Sequence, residues 1–150
     1  MFRGLTAVKL DTKGRIAVPS RYRDMLQDNA GGQLIITIET EAPCLLIYPL
    51  PAWEVIEAKI ESLPSFDPAA RRIQRLLMGH AQEIELDSQG RIVLPPLLRE
   101  YAHLDKDGML VGQGKKFELW SEHNWLQRRQ LWLDDQAKGS LPTELQSLSL

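Results

Sequence analysis

The chain has 150 residues, 43% hydrophobic and 25% charged, a balance that fits one compact domain or two tightly fused small ones. Its single cysteine, Cys44, excludes an internal disulfide, and Cys44 with His80, His103 and His123 shows no zinc-ligand spacing. The net charge of −2 excludes a uniformly basic nucleic-acid binder, but residues 1–23 hold Arg3, Lys9, Lys13, Arg15, Arg21 and Arg23 against Asp11 alone.

The opening MFRGLTAVKLD has no long apolar stretch and so does not read as a signal peptide. No apolar run further on approaches the ~18 residues of a membrane span, so a cytoplasmic protein without a membrane partner is expected. Thr6–Leu10 alternates as a half-buried strand does. Asp11-Thr12-Lys13-Gly14 is a turn: the aspartate side chain can accept from the backbone two residues on, and glycine suits a left-handed position. Arg15–Val18 is the return strand, ended by Pro19, and Ser20 is placed to cap a short helix through Leu26. Gly31-Gly32 breaks the chain before two strands, Gln33–Ile38 and Cys44–Tyr48. Pro51 opens a helix with Trp53, Ile56 and Ile60 on one face.

A linker helix follows, with Asp67 as its cap, Pro68 in its first turn, Ile73, Leu76 and Leu77 on an apolar side and Arg71, Arg72 and Arg75 opposite. The same order of elements then returns: strands at Gln82–Leu86 and Arg91–Leu94, a helix near Pro96–Tyr101, strands at Met109–Val111 and Lys116–Trp120, and a helix near Asn124–Leu133. The polar stretch from Asp134 to Leu150 reads as a mobile tail, with Leu141, Leu145 and Leu148 spaced for one helical face.

This return is an internal duplication. DTKGRIAVPSRYRD from Asp11 aligns with DSQGRIVLPPLLRE from Asp87, with Asp, Gly, Arg, Ile, Pro and a final Arg identical. The expected division is 1–63 for the first repeat, 64–78 for the linker helix, 79–133 for the second repeat and 134–150 for the tail. One hairpin with one helix buries too little apolar area to stand alone. Two copies packed about a pseudo-twofold axis give an α+β fold, a tandem-repeat double-hairpin β-barrel with peripheral helices. Trp53 and Trp125 are expected at equivalent core positions, with Phe2, Tyr48, Phe66 and Phe117 also in the core.

The two Asp-x-x-x-Arg hairpins, each followed by an aliphatic strand and a proline, resemble the MraZ family of bacterial transcriptional regulators. The resemblance runs from Phe2-Arg3-Gly4 through both hairpins, LLIYPLPAWE and RRIQRLLMGHA to FELWSE. It implies an AbrB-like swapped-hairpin barrel, subunits assembled into a homo-oligomeric ring, and binding to short direct repeats in double-stranded promoter DNA. It also implies control, usually repression, of the division and cell wall gene cluster and of the protein's own promoter, in association with the nucleoid. No cofactor, metal or small-molecule substrate is implied.

The family's DNA-contacting hairpin corresponds to Asp11 through Arg15. Arg3, Lys13, Arg15, Arg21 and Arg23 are the expected DNA-binding residues, with Asp11 and Gly14 orienting the turn. Arg15 suits a base edge, since a planar guanidinium can bind guanine O6 and N7 together; Lys13 suits a phosphate. The second motif, Asp87, Gly90 and Arg91, is either scaffold or a further DNA contact. Where the first repeat has Lys9, Lys13 and Arg21, the second has Glu85, Gln89 and Leu97.

An enzyme is the first alternative, but there is no nucleophile–base pair, glycine-rich phosphate loop or metal spacing; Gly31-Gly32 and Gly112-Gln113-Gly114 read as hairpin loops. The second is an assembly module that does not bind DNA, or an antitoxin-like protein.

Overall fold

A computed structural model describes residues 1–138 and 142–148. The first repeat supplies β1 (Phe2–Lys9), β2 (Arg15–Ala17), α1 (Ser20–Ala30), β3 (Gln33–Ile38), β4 (Leu45–Pro49) and α2 (Leu50–Glu61). A connector of α3 (Pro68–Ile73) and a π-type turn (Gln74–Met78) leads to the second. There β5 (Gln82–Glu85), β6 (Arg91–Val93), α4 (Pro96–Tyr101), β7 (Asp107–Gly114), β8 (Phe117–Ser121) and α5 (Glu122–Lys138) repeat the order. A 3₁₀ turn spans Thr143–Leu148.

The arms of the two Asp-x-x-x-Arg hairpins pair between repeats, β1 with β7, β5 with β3 and β2 with β6, whereas β3–β4 and β7–β8 pair within a repeat. Six form one antiparallel sheet in the order β1-β7-β8-β4-β3-β5, and β2 pairs with β6 in a separate ribbon. The two arms of the first hairpin therefore part after the turn. β1 finds an eight-residue partner in β7, from Phe2 opposite Gly114 to Lys9 opposite Asp107, a longer ladder than the three residues of β2 could offer. The ribbon centres on Ile16 opposite Ile92, both almost fully buried. The sheet is an open ladder, and no strand pairing joins β5 to β1 among the described residues.

Alternation at a period of two divides the buried side chains between the sheet's faces. Leu34, Ile36, Leu45, Ile47, Phe117 and Leu119 point to the main core, where they meet Ile16 and Ile92 of the ribbon, Leu26 of α1 and Leu98 of α4. On the other face Ile35, Leu46 and Tyr48 pack on Trp53 and Ile60 of α2. Cys44, Val111 and Trp120 pack beside Trp125 of α5. With both faces covered, β4 is buried along most of its length, as its unbroken LLIY run requires.

Several expectations need correction. Trp125 does not mirror Trp53: it is half-buried, and the buried indole near it is Trp120 of β8, with Trp132 of α5 edge-on to both. Phe66 is not a core residue but lies exposed in the loop before α3. Ser20 is the first residue of α1, not its cap; Pro19 holds that place and the helix runs on to Ala30, capped by Gly31. Ile73 is more exposed than an apolar helix side predicts, and the helix widens into π form immediately after it. Gly112 and Gln113 lie inside β7, where the backbone of Arg3 approaches too closely to leave room for a side chain at Gly112. The last helix continues past Leu133 to Lys138, so the expected tail begins inside α5; Leu141 lies outside the described residues.

Asp67 accepts from the Ala69 N–H at 2.9 Å as the cap of α3. The buried Thr37 hydroxyl donates to the Leu77 carbonyl at 2.7 Å, fixing the connector to β3.

Candidate nucleic-acid interface

Each hairpin turn is organised by its aspartate. In the first, Asp11 Oδ1 accepts from the Lys13 N–H at 2.9 Å and the Arg15 N–H at 2.8 Å, and Oδ2 accepts from Arg15 Nε at 2.7 Å. In the second, Asp87 Oδ1 accepts from Gln89 and Arg91 N–H at 2.8 and 2.9 Å, and Oδ2 from Arg91 Nε at 3.0 Å. These donors favour the ionised form. The Arg15 backbone N–H above all, then its guanidinium, brings the Asp11 carboxyl down to about 2, and the Arg91 N–H lowers Asp87 in the same way. Gly14 and Gly90 close the turns at φ +76° and +74°, a left-handed conformation costly for any residue with a Cβ.

The turns are also clamped across the repeats. Leu94 N–H donates to the Gly14 carbonyl and Val18 N–H to the Gly90 carbonyl, both at 2.9 Å. The Arg99 guanidinium lies over Gly14, and Arg23 lies over Gly90 while its Nε donates to the Val18 carbonyl at 2.8 Å. A side chain at either glycine would collide with the opposing arginine. The repeated glycine and the repeated final arginine thus form the same contact in both directions, although the buried Arg99 Nε, unlike Arg23 Nε, has no hydrogen-bond partner among the described residues.

The structure divides the expected basic residues into three groups. Lys13, exposed, and Arg15, about a quarter exposed, stand at the first turn. The bond to Asp11 uses Arg15 Nε, so the two terminal nitrogens remain for an end-on fork. Arg3 and Arg21 form a second group around Tyr22. The Tyr22 hydroxyl donates to the Arg3 carbonyl at 2.7 Å, Arg21 lies 4.8 Å from the Tyr22 ring centre, and Arg21 Nη2 donates to Thr6 Oγ1 at 3.3 Å. From Arg3 to Lys9 the strand covers about 20 Å, so these two groups sit towards opposite ends of β1. Arg23 joins neither, being half-buried against the second turn.

Residues that the sequence did not single out complete the first turn's surroundings. A cleft of about 590 Å³ beside it is lined by Lys9, Asp11, Thr12, Arg99, Lys106 and two acids, Asp105 and Asp107. Lys9 is paired with Asp107 at 2.8 Å. The Leu10 N–H donates to the Lys106 carbonyl; at the matching place on the second hairpin, Leu86 N–H donates to the carbonyl of Gly32, which brings no charge. The repeat alignment pairs Arg99 with Arg23 and so could have marked it; nothing in the sequence marks Lys106.

His103 and His123 line an adjoining cleft with Glu122, sharing Asp105, Lys106 and Asp107 with the first. Among the described residues no group of His, Cys, Asp and Glu is arranged to hold a metal, and no helix is long and apolar enough to cross a membrane.

A family model described as "MraZ protein", whose description also suggests an antitoxin-like nature, matches residues 1–76 and again 77–137. Among curated relatives, a protein of Coxiella burnetii (strain RSA 493 / Nine Mile phase I) is 59% identical over all of both chains. Proteins of Klebsiella pneumoniae (subsp. pneumoniae, strain ATCC 700721 / MGH 78578) and Escherichia coli O9:H4 (strain HS) are 55% and 53% identical, again over all of both chains. All three are named "Transcriptional regulator MraZ".

Proposed function

Given that this chain belongs to the MraZ family, whose curated relatives are named as transcriptional regulators, we propose that it is a DNA-binding transcriptional regulator working through its first hairpin. One observation carries this reading: two turns with the same hydrogen bonds differ in charge, and only the first displays a lysine at its tip. A turn held by its own aspartate enters a groove with little left to order. Lys13 then meets phosphate and the Arg15 fork meets a guanine edge. Arg3 and Arg21 extend the backbone contacts along β1, and Arg23 supports the second turn.

The finer reading is a cytoplasmic, nucleoid-associated repressor of its own promoter and of the division and cell wall gene cluster. It binds short direct repeats as a ring of identical chains. A ring presents the basic turn many times, and linked contacts to repeated sites raise the effective concentration, which answers the objection from a net charge of −2. The same reading treats the sheet as a pseudo-twofold barrel, supported by the way β2 lies beside β1 and β6 beside β5, at the two open edges.

The experiment is gel mobility of promoter fragments with and without direct repeats over a salt series. Binding confined to repeat-bearing fragments, with log affinity falling steeply against log salt, is expected. Affinity indifferent to salt would sink the charge argument, and equal binding to all fragments would replace regulation with general coating.

A further inference from the structure

Two surface features are used by neither hairpin. Phe66 is 84% exposed in the loop after α2, the most exposed large apolar side chain among the described residues. At the other end of α2 lies a cavity of about 200 Å³ lined by Met1, Phe2, Met25, Leu26, Pro49 and Ala52. We propose that Phe66 of one chain inserts into this cavity of a second copy, joining chains head to tail. The inference rests on the ring reading above and supplies its contact.

Size favours the fit, since apolar cavities of ~150 Å³ already take up benzene. Position makes the contact intermolecular. The twelve residues of α2 separate its ends by about 18 Å. Gln74 Nε2 donates to the Ile60 carbonyl and holds the segment after Phe66 at the far end, away from the chain's own cavity. Charge is complementary, with Asp67 next to the aromatic knob and Lys115 on the cavity rim. A knob and a hole on different faces give a heterologous contact, which generates a ring when its rotation closes. One phenylalanine buries ~150–250 Å², well below the ~1,200 Å² of a stable interface, so Phe66 is the central anchor and flanking surface supplies the rest.

Sedimentation of the full chain tests this, with circular dichroism confirming the fold of each variant. Phe66→Ala removes the knob, and Asn29→Trp fills the hole from its exposed rim. Each alone is expected to lose the large species. Mixed, they retain one usable knob and one usable hole, and are expected to form a two-chain species that grows no further. If folded Phe66→Ala keeps the wild-type size, or if Asn29→Trp keeps it while Phe66→Ala does not, the pairing is overturned and the ring stands. If both keep it, the cavity has some other occupant and the pairing again fails. A wild-type chain that sediments as a monomer overturns the ring and the contact together.

Discussion

The first and second hairpins are the same object in hydrogen bonding and different objects in charge. Both have an aspartate holding two N–H groups and one guanidinium, a left-handed glycine, and an arginine from the other repeat laid over that glycine. Around the first turn stand Lys13, Lys106 and the paired Lys9, with Asp105 and Asp107 nearby; around the second, Glu85 and Gln89 occupy the places of Lys9 and Lys13. The shared residues build the turn, and the unshared ones decide what it meets. A repeated motif is therefore evidence about architecture first.

The strongest way to break this comparison is to truncate the paired arginines separately. Arg15→Ala is expected to cost about 1–3 kcal/mol in specific DNA affinity, read by gel mobility or fluorescence anisotropy. Arg91→Ala is expected to leave affinity within assay scatter, and equal losses would end the division of labour. At the level of stability the two should instead be twins. Gly14→Ala and Gly90→Ala each force a Cβ into a left-handed position and against a guanidinium, with an expected loss of about 1–2 kcal/mol by chemical denaturation. A large difference between them would mean that the two clamps are not equivalent.

A third variant sharpens the comparison by gain. Gln89→Lys gives the second turn the tip residue of the first, and should steepen the log affinity–log salt slope by about 0.9 if that turn can reach a phosphate. An unchanged slope would show that position, besides charge, separates the hairpins. The smallest effect concerns pH. Asp11 and Asp87 both have folded values below the ordinary 3.8, so the stability they confer is complete above that value. It fades as pH falls, for Asp11 through about 2. Carboxyl resonances followed by NMR should give a midpoint near 2 for Asp11 and a depressed one for Asp87. An ordinary midpoint at either would mean its turn is open in solution.

Much of this was legible in the sequence because its signals are local. Asp11-x-x-Gly14-Arg15 dictates a turn by side-chain chemistry, short near-continuous apolar runs mark β3 and β4, and Asp67-Pro68 marks the start of α3. What was not legible depends on partners distant in the chain. The pairing of β1 with β7 is set by ladder length between segments about a hundred residues apart, and propensity along one strand does not report it. The placement of Arg23 was hidden for the same reason. Its basic neighbours suggested DNA, while its actual neighbour is a glycine in the other repeat. Phe66 shows the converse, since an aromatic residue in an irregular loop carries no periodicity to say which way it faces.

The crossing of the hairpins bears on how such a chain can diverge. A single-copy version would have to find another molecule before it could fold, and its stability would rise and fall with concentration. Its two turns would also be bound to stay alike, because any substitution would appear in both. Fusing the copies through the connector turns that encounter into an intramolecular one and frees each half to change by itself. Only in such a fused pair can Gln89 face Lys13 across the pseudo-symmetry, with one turn keeping its cations while the other gives them up.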